Sequence, residues 1–282
     1  MKHCILSALF ISVAIISHAQ VESELQEPSK LSLGFSFSAN LPLYGQSKWI
    51  SSSVAEDGGL DQSTEGYTFG KGIKFGWLLN YEASESIDLE LDVEYLAGFT
   101  NRHTYYYEIQ GQSVYNKLSQ KNRANTLFLN PKVCFKLAKN KYNGFLYTKL
   151  GPNIGFSSIK IKEEFYFNNN LLEYGWKIKG NPVKGFSAAL GYNFGGESKE
   201  KYFIELEVAH NSMKPTNQTL VSAIANKNQD FLKEEKQNVF FSETEYLDSG
   251  VPADQNNSQI PRKALAFPYN YSSINIKVGI LL

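Results

Sequence analysis

The carboxylates of one short segment form the densest set of chemically capable side chains in the sequence. Asp88, Glu90, Asp92 and Glu94 recur at every second residue. Because side chains two residues apart point to the same face of a strand, an extended backbone would set all four in one row. Such a row could hold a metal ion or guide cations. Lysines at inward positions of other segments favour a structural network of ion pairs instead.

The remaining candidates for metal or nucleophilic chemistry are sparse. Residues 56–61 read Glu-Asp-Gly-Gly-Leu-Asp, which offers oxygen ligands and glycine turns but lacks the spacing of a recognised calcium loop. A solvated turn is the better interpretation. Beyond the N-terminal segment the only histidines are His103 and His210, which leaves little material for histidine metal sites or triads. The sequence therefore predicts no metal and no cofactor.

The acidic row belongs to a segment, 87–99, that alternates strictly between two kinds of side chain. Its odd positions are apolar and its early even positions are carboxylates. This period of two is typical of a strand with one apolar and one charged face. Its length matches the roughly 9–11 residues of a tilted strand that crosses a bilayer, whereas globular strands average about 5–6.

Seven further segments repeat the pattern, and their connections alternate in length. The segments are 31–41, 73–82, 127–137, 146–156, 185–194, 202–208 and 273–282. Long connections (42–70, 100–125, 157–181 and 211–270) alternate with short ones, which is typical of outer-membrane barrels. We predict an all-β fold, an eight-stranded antiparallel transmembrane β-barrel with up-and-down meander order, long extracellular loops and short periplasmic turns. Within it, Pro131 predicts a bulge, 100–125 and 157–181 predict projecting hairpins, and 220–232 predicts a short surface helix.

We predict that the apolar face of each strand contacts lipid and that the polar face lines the barrel interior. A soluble barrel alternates equally well with its apolar face inward, but the loop pattern and the glycines on the polar face (among them Gly76, Gly191 and Gly279) favour a membrane barrel with a narrow, filled interior. The predicted lipid-facing residues are Phe35, Phe75, Trp77, Leu89, Leu91, Val93, Leu129, Leu150, Leu190, Leu206, Ile276 and Val278. The predicted lumen network comprises Lys74, Asp88, Glu90, Asp92, Glu94, Lys132, Lys136, Lys149, Glu205, Glu207 and Lys277. A bore of about eight strands is filled by side chains, so a diffusion channel is not expected.

The N-terminal region has the pattern of an export signal. Lys2 and His3 precede an apolar run that ends in Ser17-His18-Ala19, which predicts a cleaved signal peptide over 1–19. A short periplasmic segment, 20–29, and the barrel, 30–282, would follow, and the predicted location is the bacterial outer membrane. The formal net charge is 0, which argues against a nucleic-acid partner.

The chain resembles the PorT-like small outer-membrane barrels, the outer membrane protein beta-barrel domain group. The likeness rests on Leu-Phe-Leu-Asn-Pro-Lys-Val at 127–133, on Tyr-Thr-Lys-Leu-Gly-Pro-Asn-Ile-Gly at 147–155, on the signal peptide and on the final aliphatic strand. It covers essentially the whole mature chain. It implies the same fold and a place in the cell envelope, and it does not imply an activity.

A second resemblance concerns His210-Asn211-Ser212. A His-x-Ser pair at the outer end of a strand is similar to the catalytic pair of barrel-type lipid A deacylases, which would make His210 the base and Ser212 the nucleophile. The flanking Met213-Lys214-Pro215 departs from that family's pattern. An outer-leaflet lipid-modifying enzyme is thus the alternative hypothesis.

The function we predict is non-enzymatic and resides in the long loops. A surface binding, adhesion or scaffold protein, or an accessory subunit of an envelope complex, fits loops carried on a rigid barrel. The expected partners are outer-membrane lipid and lipopolysaccharide, the barrel-assembly machinery during biogenesis, and an envelope protein or extracellular ligand. Candidate loop contacts are Trp49, Tyr105, Tyr106, Tyr107, Trp176 and Phe240.

Overall fold

The computed structural model describes residues 30–54, 60–67, 70–108, 115–139, 144–167, 170–194, 200–225, 229–230, 238–242, 262–265 and 269–282. Within these ranges fifteen strands occur: β1 (Leu31–Val54), β2 (Leu60–Tyr67), β3 (Gly72–Ser84), β4 (Ile87–Gly98), β5 (Asn101–Glu108), β6 (Tyr115–Lys139), β7 (Phe145–Phe167), β8 (Asn170–Gly180), β9 (Val183–Phe194), β10 (Lys201–Met213), β11 (Pro215–Ala225), β12 (Gln229–Asp230), β13 (Asn238–Ser242), β14 (Arg262–Leu265) and β15 (Tyr269–Leu281). The predicted signal peptide, the segment 20–29 and most of the acidic turn 56–61 lie outside the described residues.

Eight of these strands close into a ring. Each of β1, β3, β4, β6, β7, β9, β10 and β15 pairs antiparallel with the next, and β15 returns to β1. The closing ladder runs from Gly34 opposite Leu281 to Gln46 opposite Asn270. The prediction of an eight-stranded antiparallel meander barrel is confirmed, because every ring strand neighbours the ring strand that precedes it in the sequence.

Along the ring strands, buried polar side chains alternate with exposed apolar ones, the reverse of the arrangement in a soluble barrel. In β4 the even-numbered residues from Asp88 to Leu96 are buried and the odd-numbered ones are exposed or half-buried. The pleat places successive side chains on opposite faces, so the carboxylates line the interior while the apolar residues form the outer surface. This polarity is the one that a bilayer imposes on a barrel. No helix in the described ranges is long and apolar enough to cross a membrane.

The expected bulge at Pro131 is wrong. The ladder between β6 and β7 keeps one register from Leu129 opposite Ile154 to Val133 opposite Leu150, which places Pro131 level with Pro152. Proline has no N–H to donate, so cross-strand bonding is interrupted at this level without an inserted residue. The register shift in β6 lies instead between Lys136 and Ala138.

Much of the predicted loop sequence continues as sheet beyond the barrel. Strands β5 to β8, β11, β13 and β14 form a continuous extension in the order β5-β6-β7-β8-β11-β13-β14, which we call the cap. The predicted hairpins over 100–125 and 157–181 are present as β5–β6 and β7–β8. Separately, β1 continues past a bulge between Pro42 and Tyr44 and pairs with β2. The opposite end of the barrel, where short links join the strands, is called the turn end.

The predicted helix over 220–232 is wrong for its described part. Residues 215–225 form β11, which pairs antiparallel with β8. The helical spacing of this segment was outweighed by the free edge of β8, which supplies backbone partners along the whole strand.

Candidate functional site: an ionic lumen beneath a capped mouth

The eleven predicted lumen residues all point into the barrel. Ten are buried, and Lys136, nearest the turn end, is half-buried. Six of the eight ring strands, β3, β4, β6, β7, β10 and β15, carry these residues on their inward faces. Six carboxylates face five ammonium groups, so the charges nearly balance.

Lys277 is the centre of this network. Its side chain has no exposed surface, and its Nζ lies 2.6 Å from Glu94 Oε1, 2.8 Å from Asp92 Oδ2 and 3.7 Å from Glu205 Oε1. Since β15 lies across the barrel from β4, the contacts with Asp92 and Glu94 tie opposite walls together, whereas Glu205 belongs to the neighbouring strand β10. An ammonium group held by several carboxylates compensates their shared desolvation cost.

Two further lysines link the walls nearer the cap. Lys132 Nζ lies 2.5 Å from Glu207 Oε2 and 3.1 Å from Asp92 Oδ2. Lys74 Nζ lies 3.4 Å from both Glu94 and Glu207. Glu207 therefore bridges two lysines from different strands.

The network ends at an aromatic floor near the turn end. Lys149 Nζ is 2.8 Å from Glu90 and from Glu205, and it lies 4.9 Å from the ring centre of Tyr147 and 5.2 Å from that of Phe203. The Tyr147 hydroxyl donates to Glu205 over 3.2 Å. A small cleft lined by Glu90, Tyr147 and Phe203 enters here. Lys136 pairs with Asp88 over 2.8 Å at its rim.

Glycines make room for this floor. A Cβ on Gly191 would overlap the Tyr147 ring, and one on Gly279 would overlap the Phe203 ring. The inward glycines thus allow two bulky rings to lie flat across a narrow bore.

An apolar plug closes the other end of the lumen. It consists of buried side chains from six ring strands and from β8, with Leu96 and Ile178 fully buried. Its members are Leu96, Ala124, Phe128, Ile159, Ile161, Ile178, Val183, Met213 and Tyr271. Sequence reasoning missed this plug, because it treated 157–181 as a hairpin that projects beyond the barrel and assigned it no inward face.

A buried acid lies above the plug, inside the cap. Glu163 accepts hydrogen bonds from Trp176 Nε1 over 2.9 Å and from Gln120 Nε2 over 3.0 Å. Burial raises the pKa of the Glu163 carboxyl above its ordinary range, while the two hydrogen bonds oppose that shift. The Trp176 ring packs against the plug, so this predicted loop contact supports the cap from within.

The neighbouring carboxylate has the opposite environment. Glu164 lies 2.5 Å from Lys121 Nζ, 3.2 Å from Lys162 Nζ and 3.9 Å from Arg102. Hydrogen bonds and charge from Lys121 and Lys162 lower the pKa of Glu164, although burial acts against them. Side-chain alternation in β7 thus directs one acid inward and the next toward basic neighbours.

The candidate His210 and Ser212 lie on the outer face of β10. His210 is exposed, and its Nδ1 lies 2.9 Å from the hydroxyl of Ser272 on β15, opposite it in the ladder. The structure thus pairs His210 with Ser272, a serine that sequence spacing could not reveal. Among the described residues no carboxylate bonds to the imidazole.

The predicted lipid-facing residues lie on the outside of the ring. Eleven are exposed, with fractions from 38% for Phe35 to 53% for Phe75, and Val93 is half-buried. For Trp49, Tyr105, Tyr106, Tyr107 and Phe240 the strands β1, β5 and β13 give the backbone position, and their side chains lie outside what is described. In the described part of the chain, no three histidine, cysteine or acidic side chains are grouped to hold a metal ion.

Comparison with known proteins finds no sequence match and only weak structural similarity. No family model matches the chain, and no curated protein matches it. Among solved structures, CarO of Acinetobacter baumannii is similar over 88% of this chain and 96% of its own, at 13% identity and a TM-score of 0.22. A loop L8 deletion mutant of OmpT, an outer membrane protein of Vibrio cholerae, overlaps 90% of this chain and 99% of its own, at 8% identity and a TM-score of 0.12. The barrel assignment therefore rests on the strand pairing described above.

Proposed function

We propose that the protein is a bacterial outer-membrane barrel without an open pore, which acts through its capped end as a surface binding, adhesion or scaffold protein or as an accessory subunit of an envelope complex. The observation that carries this proposal is the plug with the sheet built over it. Among the described residues, paired charges fill the middle of the lumen and apolar side chains lie above them, which supports a barrel without an open pore, while the cap extends strands beyond the barrel. Function then resides on the projecting surface.

The membrane placement is supported by the outer surface of the ring. A soluble protein rarely exposes so continuous an apolar area, whereas a bilayer requires one. Membership of the PorT-like group, the cleaved signal peptide and an orientation with the cap outside the cell are parts of the same proposal.

Site-specific crosslinking in cells tests the cap as the contact surface. A photoreactive residue at Val221 or Thr216, both exposed on β11, should give a discrete crosslinked protein of the envelope. The same residue at Lys201, exposed at the turn end, serves as the matched control. Equal adducts from both ends, or none from the cap, would contradict a partner at the cap.

The alternative, an outer-leaflet lipid-modifying enzyme, is favoured by one observation, the 2.9 Å contact between His210 and Ser272. A histidine that accepts a serine proton is the activating half of an acyl-transfer site. The acylation pattern of membrane lipid should then change on Ser272→Ala or Ser212→Ala. Unchanged lipid in both variants would remove this alternative.

A further inference from the structure

The outer face of the cap changes character immediately above the apolar band. In β7 the outward residues Ile154 and Phe156 are apolar, and the outward residues Lys160 and Lys162 that follow are basic. The inward face changes in the opposite direction near the same level, from polar at Asn153 to apolar at Ile159. This exchange of faces marks where the sheet leaves hydrocarbon and enters water.

Four basic side chains lie together on that outer face. Arg123 is opposite Lys160, and Lys160 is opposite Lys177, so three neighbouring strands carry a cation at one height. Lys179 lies two residues closer to the barrel on β8, on the same face as Lys177. We call Arg123, Lys160, Lys177 and Lys179 the basic belt.

The height of the basic belt matches a lipid headgroup region. Arg123 and Lys160 lie four residues beyond Leu127 and Phe156, the last apolar pair of these two strands. At about 3.3 Å per residue and a tilt near 40°, that separation is roughly 10 Å along the membrane normal, and Lys179 is roughly 5 Å lower. Flexible lysine stems can turn their ammonium groups back toward the bilayer surface.

Among the described residues, the cations of the basic belt differ from those farther from the barrel in that they have no carboxylate partners. One row farther out, Lys162 is 2.8 Å from Glu173, and Lys121 and Arg102 contact Glu164. In the part of the chain that the structure describes, no carboxylate pairs with any member of the belt, and Arg123 Nε donates only to Asn125 Oδ1. The cations are thus neutralised by the protein away from the membrane and left unneutralised beside it.

We propose that the basic belt binds the phosphate groups of a phosphorylated outer-leaflet lipid. This inference rests on the membrane placement proposed above and specifies a ligand for the outer rim of the barrel. Ammonium and guanidinium groups form charge-assisted hydrogen bonds with phosphate oxygens, and an acyl chain beneath the phosphate would lie along Leu127 and Phe156. The apolar band and the belt together fit an amphipathic lipid better than a soluble anion.

Retention of a defined lipid tests the inference. Purified full-length protein is incorporated into phosphatidylcholine vesicles containing diphosphorylated lipid A, extracted with mild detergent, and its bound lipid is counted by native mass spectrometry. The comparison is between the wild type, Lys160→Gln/Lys177→Gln, and the control Lys30→Gln/Lys201→Gln, whose two lysines are exposed at the turn end.

The belt variant should weaken lipid A retention roughly thirtyfold, since each basic side chain near an anionic surface contributes about 1 kcal/mol and 1.4 kcal/mol is a factor of ten. The control should retain lipid A like the wild type. Lipid A without phosphates should bind the wild type still more weakly than lipid A binds the belt variant, because Arg123 and Lys179 remain in the variant. Equal retention by the wild type and the belt variant would overturn the inference.

Two further measurements test whether the belt binds free phosphate instead and whether the protein enters the membrane at all. Excess inorganic phosphate should leave lipid A bound, and complete displacement would show a site for free phosphate instead. Flotation with vesicles of phosphatidylcholine alone, which offer the basic belt no anionic lipid, reports insertion by itself. Failure to insert would refute the membrane placement, whereas insertion without phosphate-selective retention would refute the belt alone.

Discussion

Lys277 shows how one side chain can hold the lumen together. It is fully buried, and it contacts Asp92 and Glu94, which both belong to β4 on the far wall of the barrel. Replacing it by methionine keeps most of the unbranched side chain and removes the charge, which leaves Asp92 and Glu94 without their shared partner. Loss of one member of a buried ionic group costs about 3–5 kcal/mol.

We therefore expect Lys277→Met to lower the free energy of unfolding by about that amount, measured by urea titration in lipid vesicles. Lys201→Met, at an exposed position of β10, should change it by less than about 0.5 kcal/mol. If the two variants unfold at the same urea concentration, the network contributes nothing to stability.

Glu163 should make the cap sensitive to pH. A raised carboxyl pKa means that the folded cap binds the proton more tightly than the unfolded chain does. The stabilisation is therefore fully present at low pH and is lost as pH rises from the ordinary pKa of glutamate through the raised pKa of Glu163. Trp176, which donates to this carboxylate, is the local probe.

The expected observation is a step in tryptophan emission with a midpoint above the ordinary pKa of glutamate, absent in Glu163→Gln. Trp176→Phe should also remove the step, because Trp176 is the tryptophan that donates to Glu163. A step that persists in Glu163→Gln would assign the transition to another group.

At the scale of strands, period-two alternation was enough to predict the eight ring strands, and the inward and outward sets follow from it. The cap hairpins β5–β6 and β7–β8 were predicted, but β11 was not, because its stability depends on pairing with the distant segment β8. A local signal was nevertheless present: the apolar phase of β7 shifts from Ile154 and Phe156 to Ile159 and Ile161. A strand whose apolar side chains change from the outward face to the inward face, with no break in the strand, indicates a sheet that passes from hydrocarbon into water.

The same reasoning fails for contacts between strands that are distant in the sequence. Nothing in the spacing of His210 reveals Ser272, sixty-two residues away, since the partner is set by the register of β10 on β15. The lumen network was predictable as a set because all its members share the inward phase. Which lysine meets which carboxylate depends on the three-dimensional ring.

The outer face of a ring strand should tolerate charge according to depth. Leu91 lies near the middle of the apolar band, and Phe156 lies at its cap end. Leu91→Arg should cost about 2–4 kcal/mol in lipid vesicles, and Phe156→Arg about 0–1 kcal/mol. The measurement is equilibrium unfolding of each variant in the same lipid, and a larger penalty at Phe156 would reverse the assignment of depth.

Seen as a whole, the molecule stacks three barriers along the barrel axis. The aromatic floor lies at the turn end, the ionic layer around Lys277 in the middle, and the apolar plug beneath the cap. Each uses a different interaction, so removing one leaves the others in place. The arrangement separates a rigid, sealed anchor from a surface that projects beyond it.

These three barriers predict that the protein conducts no ionic current in planar bilayers. The wild-type protein should give no stepwise single-channel current, because an ion would have to displace both the plug and the paired charges. Phe128→Ala, which shortens a plug side chain that is 2% exposed, should also stay silent, since the ionic layer beneath it is intact. Insertion is verified independently by protease protection of the strands. Regular conductance steps from the inserted wild-type protein would show that the lumen is a pore, and steps only from Phe128→Ala would show that the plug is the sole barrier.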